Sequence, residues 1–317
     1  MRDDVSLKFE SFQISSLSKR LLLTWVIFCE SVYPHHSTAG AAEVSSPQPP
    51  EVTVKAPRPP TDQELAGESV SHFITHHSSR SVFTGQIGRW HTGVCPVTMG
   101  LTDDLNSFVS ARIRAVAAAV GAPAPPAGKC QSNVNIIFAM EPQKVLDEIA
   151  DKQSVLLGFH YSHQTKKIAT LSHPIQGWYV TATRGRVETK LDEALPLWPG
   201  VPAGTLGSRL STGLNTDIVH VLIVADVNKV IGYKIGSLAD YLSMVVLSQA
   251  QSPNSCDPLP SILDLMSTGC PERDKPTAIT AGDLAFLKGL YRIFMAEPVN
   301  LEKDDIQDQM MRSFRAH

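Results

Sequence analysis

The chain has 317 residues, of which 43% are hydrophobic and 19% charged, and its formal net charge is -3. That composition supports a sizeable apolar core. It offers no dense lysine or arginine run for nucleic acid or an anionic membrane surface. No internal repeat is visible, so solenoids and propellers are excluded.

The N-terminal 41 residues read as a secretory signal peptide. Lys19 and Arg20 form a basic region, Leu21 to Cys29 an apolar one, and Ala39-Gly40-Ala41 a cleavage site. The apolar run falls well short of the ~20 residues of a membrane-spanning helix. Phe28 stands where a lipoprotein signal wants a small residue, so Cys29 is not read as a lipid anchor. The polar stretch before Lys19 is long for such a region, which fits a start downstream of Met1. Residues 42–60 contain Pro47, Pro49, Pro50, Pro57, Pro59 and Pro60 and read as an extended, disordered tether. Residues 61–317 are read as a single domain.

Along that domain, Thr61 and Glu64 form a capping box that opens a helix through Leu65, Val70, Phe73 and Ile74. Ile87 to Trp90 reads as a short strand. Thr102 caps a helix whose apolar positions run from Leu105 to Val120, stopped by Gly121 and Pro123. Val134 to Phe138 reads as a buried strand, and Pro142 starts a helix through Leu146 and Ile149. Strands follow at 178–183 and 218–225, the second apolar enough to be buried on both faces. A loop is expected from about Gly185 to Gly213. Helices are expected over 236–249, 260–266, 283–294 (capped by Thr280) and 304–314. This order predicts an α+β fold: a mixed sheet with helices and a helical C-terminal third.

Of the five cysteines, four follow the leader: Cys95, Cys130, Cys256 and Cys270. An even count behind a secretory signal points to two disulfides and to a periplasmic or secreted protein. Four cysteines allow three pairings; the sequence-local ones, Cys95 with Cys130 and Cys256 with Cys270, are preferred. The C-x-x-C spacing of a zinc site is absent.

Catalytic motifs are weak. Gly121 to Lys129 lacks the spacing and the Ser or Thr of a phosphate-binding loop, and neither G-x-S-x-G, G-x-G-x-x-G nor H-E-x-x-H occurs. His160 and His163, with His173, are the candidate metal ligands, against the simpler reading as polar turn residues. Asp240, Asp226 and His220 are the candidate acid–base groups. Each also has a structural reading, as a loop-binding carboxylate, a turn residue and a hydrogen-bonded core imidazole. Arg184 and Tyr241 are candidates for holding a ligand, Arg184 through a carboxylate.

The segments GRWHTGVCP (88–96), CQSNVNIIF (130–138), PIQGWYVTATR (174–184), IVHVLIVADVNKVIG (218–232), ADYLSMVVLSQ (239–249) and LPSILDL (259–265) carry a resemblance. The chain resembles a group of uncharacterised secreted proteobacterial proteins, which implies no activity. It is also similar to zincin-like peptidases, in which a strand–helix–strand unit and an edge strand lead into a helix bearing H-E-x-x-H. That likeness implies a zincin-like architecture with Asp240 at the place of the catalytic glutamate and no histidine beside it. The helix therefore cannot hold zinc in that mode.

The expected function is a non-catalytic binding or envelope-supporting domain on a degenerate zincin-like scaffold, without a cofactor, whose partner is an envelope protein or peptide. The alternative is a peptidase-like hydrolase with a non-standard His/Asp site. A flat surface would instead favour a purely structural role.

Overall fold

The computed structural model describes residues 67–82, 84–128, 130–158, 161–185, 213–250, 253–293 and 299–315, all within one compact unit, Pro49–His317. The leader, the whole tether, the Thr61–Glu64 capping box with Leu65, and His160 lie outside the described residues, as do residues 186–212 of the expected loop.

Four strands form the sheet, in the order β1-β2-β4-β3: β1 Pro96–Met99, β2 Val134–Ala139, β3 Ile175–Gly185 and β4 Leu214–Asp226. β1, β2 and β4 run parallel, and β3 pairs antiparallel with β4 as an edge strand. β4 is the centre of the molecule. Its run of Val and Ile suits a strand buried on both faces. Leu222 and Val224 enter a cluster with Leu146, Leu157 and Trp178 on one face. Val221, Ile223 and Ala225 enter the larger core on the other. The fold is therefore α+β, with a mixed sheet between layers of helix.

The longer helices are α1 Gly67–His77, α2 Asp103–Val120, α3 Pro142–Lys152, α4 Ile235–Ser248, α5 Ala281–Leu290 and α6 Val299–Arg315, with single helical turns at Thr165–Ile168 and Val227–Val230. α2 joins β1 to β2 and ends as expected at Gly121, whose φ of 80° is the left-handed conformation that glycine adopts at least cost. Thr102 occupies the N-cap position but its side chain makes no capping bond. α5 is capped by Thr280 and Asp283 in a reciprocal capping box.

Three local expectations change. Ile87 to Trp90 makes only isolated bridges, Arg80 with Ile87 and Arg89 with Asp217, rather than a strand. What fixes this segment is Glu302 of α6, which accepts from the Ile87 N–H at 3.0 Å and pairs with Arg89 at 3.1 Å. β1, too short to show a period, takes its strand character from pairing with β2. The helix expected over 260–266 is a 3-10 turn, Ile262–Met266.

The segment before β1 is locked to α4. Trp90 is buried and donates from Nε1 to the Val246 carbonyl at 2.9 Å. Gly88 lets the chain pass against Gln249, the left-handed cap of α4; a Cβ at Gly88 would lie 2.3 Å from the Gln249 side-chain oxygen. The structure closes the disulfides Cys95–Cys130 and Cys256–Cys270. The first ties the start of β1 to the chain entering β2. Two disulfides are the mark of a chain that matures in an oxidising compartment. Among the described residues, no helix is long and apolar enough to cross a membrane.

Candidate functional site

The edge strand β3 and the helix α4 border a groove of about 290 Å³. Ile175, Gly177 and Tyr179 of β3 face it, because alternate residues of a strand share a face. Tyr241 and Val245 of α4 face it from below, four residues apart on one side of the helix. Ser172 and His173, in the turn before β3, close one wall.

The groove is polar at its wall and aromatic at its base. The Ser172 hydroxyl lies 2.8 Å from His173 Nδ1 and donates to Gln176 Oε1 at 3.0 Å. Tyr179 is partly buried and donates its hydroxyl, which lies inside the protein, to the Val245 carbonyl at 2.8 Å, which pins β3 to α4. Burial, with Tyr241 adding to it, raises the Tyr179 pKa well above the ordinary phenol value, so the hydroxyl stays a donor.

The candidate residues divide on this geometry. His173 and Tyr241 share the groove. His163 sits on an exposed turn, stacked on Tyr161 at 5.7 Å between ring centroids. Arg184 is in β3, where only its backbone is described.

Asp240 points away from the groove. Its Oδ1 accepts from Arg112 Nε at 2.5 Å and its Oδ2 from the Ile279 N–H at 2.9 Å, with both ionic side chains buried. Both oxygens are occupied, so Asp240 is a structural anchor joining α2, α4 and the chain before α5. Asp226 is likewise a turn residue: it caps the Val227–Val230 turn by accepting from the Asn228 N–H at 3.0 Å. His220 is held at 3.1 Å by Asn135 of β2, and burial lowers its pKa to about 4, so it is neutral in the fold.

Where Asp240 is set at the glutamate position, the two histidine positions of an H-E-x-x-H helix fall on Ala239 and Ser243. Both are fully buried, and Ser243 donates back to the Ala239 carbonyl at 2.7 Å. The groove face of α4 is instead Tyr241 and Val245, and neither is a metal ligand of that mode.

Sequence reasoning missed another cluster. His72 and His76 of α1 converge with Asp257, all three ligand atoms within 4.8 Å of one another. The H-x-x-x-H spacing in SHFITHH is the signal that would have found two of the three, since residues four apart share a helix face.

Comparison of the chain with models of protein families, with curated proteins and with solved structures gives no match.

Proposed function

We propose that this chain is an extracytoplasmic binding domain, periplasmic or secreted, that holds an extended peptide segment of an envelope partner along β3 without hydrolysing it. The observation that carries this reading is the groove itself: an antiparallel edge strand beside a helix whose Tyr241 and Val245, both buried, form the groove floor in place of metal ligands. An edge strand offers a row of backbone donors and acceptors that a peptide can extend, while an adjacent groove takes alternate side chains. The scaffold we read as zincin-like. Its support is the order of strand, helix, strand, helix (α3), antiparallel edge strand, central strand and then α4. With fold alone never fixing function, the site decides.

Hydrolysis has one foothold, the Ser172–His173 contact at 2.8 Å in the groove wall. Both residues are exposed, and no carboxylate orients His173 among the described residues. A triad needs that orienting group to hold the imidazole and stabilise its charged form. Binding is therefore the better reading.

The test is a binding screen of purified protein against extended synthetic peptides, with His173→Ala and Gln176→Ala, both on the groove wall, as variants. Saturable binding that both variants weaken, with every peptide recovered intact, supports the proposal. Peptide or ester cleavage abolished by Ser172→Ala or His173→Ala would replace it with the hydrolase alternative.

A further inference from the structure

The His72, His76 and Asp257 cluster lies on residues distinct from those of the groove. Its geometry has three parts. His72 and His76 stand one helical turn apart near the end of α1, with their Nδ1 atoms 3.1 Å apart. Asp257 Oδ1 is 2.9 Å from His72 Nδ1. The Asp257 side chain is only 1% exposed, and its Oδ2 is buried with no hydrogen-bond partner, 3.7 Å from His77 Nδ1.

Protons alone leave this cluster poorly satisfied. His76 Nδ1 also lies 3.3 Å from the His72 carbonyl, an acceptor. If His72 Nδ1 gives its proton to Asp257 it cannot also accept from His76, whose proton then goes to the His72 carbonyl, and Asp257 Oδ2 is still unpaired. His77 does not repair this, because its Nδ1 already donates to the Phe73 carbonyl at 2.8 Å. A buried carboxylate oxygen without a partner is costly unless a cation compensates it.

We propose that His72, His76 and Asp257 form a binding site for a divalent first-row transition metal, with zinc the natural probe. Two imidazoles and a carboxylate form the borderline donor set that such ions favour over calcium or magnesium. Ligands about 2.0–2.2 Å from a tetrahedral zinc lie about 3.3–3.6 Å from each other. The observed spacings lie close to that range. The site is also prepared in advance: two ligands share one helix, and the third follows Cys256, which the bridge to Cys270 fixes. His72 and His76 are exposed, so a fourth position faces water. That leaves room for a solvent ligand or a side chain of a partner.

The experiment is titration of the purified, metal-stripped protein with Zn²⁺ alone in competition with a chromophoric chelator. It is run on the wild type, His72→Ala, His76→Ala and, as a control for unrelated histidines, His163→Ala with His173→Ala. Co²⁺ is added in parallel to read coordination from its visible absorption. The expected result is one tight equivalent, weakened at least about tenfold by either His72→Ala or His76→Ala and unchanged in the control. Losing a ligand should cost no less than losing an outer-shell partner. Cobalt should give a low-coordinate spectrum in the wild type and the control, and lose it in His72→Ala and His76→Ala. Both variants replace exposed side chains, so folding is checked by circular dichroism and should hold. No stoichiometric zinc, or zinc affinity equal in wild type and both variants, overturns the proposal. So does loss of binding in the control.

Discussion

Replacing Arg112 separates a structural role for Asp240 from a catalytic one. The pair is buried, with Arg112 Nε 2.5 Å from Asp240 Oδ1, and the second oxygen takes the Ile279 N–H. In Arg112→Met the carboxylate keeps one backbone donor and loses its counter-charge. Breaking a buried pair from one side costs about 3–5 kcal/mol, because the remaining charge stays uncompensated. Asp240→Leu should cost a similar amount, leaving the guanidinium buried and the Ile279 N–H unpaired. The double variant removes both charges, and only the Ile279 N–H is left to cost about 1–3 kcal/mol. The sum of the singles would be about 6–10 kcal/mol, so the coupling between them is several kcal/mol in favour of the double. Denaturant unfolding of the disulfide-intact protein, with the slope compared across all four forms, measures this. Additive losses in the double variant would refute the ion-pair account. Full stability of Asp240→Asn with altered peptide handling would return Asp240 to the list of functional residues.

Three other outcomes follow. His220 is neutral in the fold with its pKa lowered from 6.5 to about 4, so its contribution is lost as pH falls from about 6.5 toward 4. Because the ring is partly exposed, screening reduces this to about 1–2 kcal/mol by pH 5, seen as a loss in the wild type that His220→Gln does not share. The Cys256–Cys270 bridge closes a separation of 14 residues, and replacing both by Ser should lower stability by about 3 kcal/mol. The same change should weaken zinc binding by releasing Asp257, whereas replacing Cys95 and Cys130 should leave zinc binding intact. Trp90→Ala should cost about 3–5 kcal/mol in unfolding assays, since the indole is fully buried and bonded to α4.

Much of the fold was legible because its signals are local. Pro142 at a first helical turn, Gly121 at a C-cap, Thr280 as an N-cap and the apolar run of β4 each declare an element without help from the rest of the chain. The failures are where distant residues decide. β1 is a strand because β2 lies beside it, and 87–90 is not one because Glu302, more than two hundred residues away, takes its donors. The sites follow the same division. Asp240 carried two readings from sequence, a general base and a loop-binding carboxylate; Arg112 and Ile279, both remote in sequence, occupy it as a structural group. His173 and Tyr241 are joined only by the packing of β3 on α4. Asp257 meets His72 across a separation of 185 residues, so periodicity would have yielded the histidine pair and not its third member.

The most direct test of the binding account is hydrogen exchange read by mass spectrometry on the wild-type protein with and without a selected peptide, with the peptide analysed in the same sample. The account predicts slowed exchange across β3 and in the α4 segment containing Tyr241 and Val245, with the peptide mass unchanged. Contradiction would be new peptide fragments formed in proportion to the protein, or protection confined to surfaces away from β3.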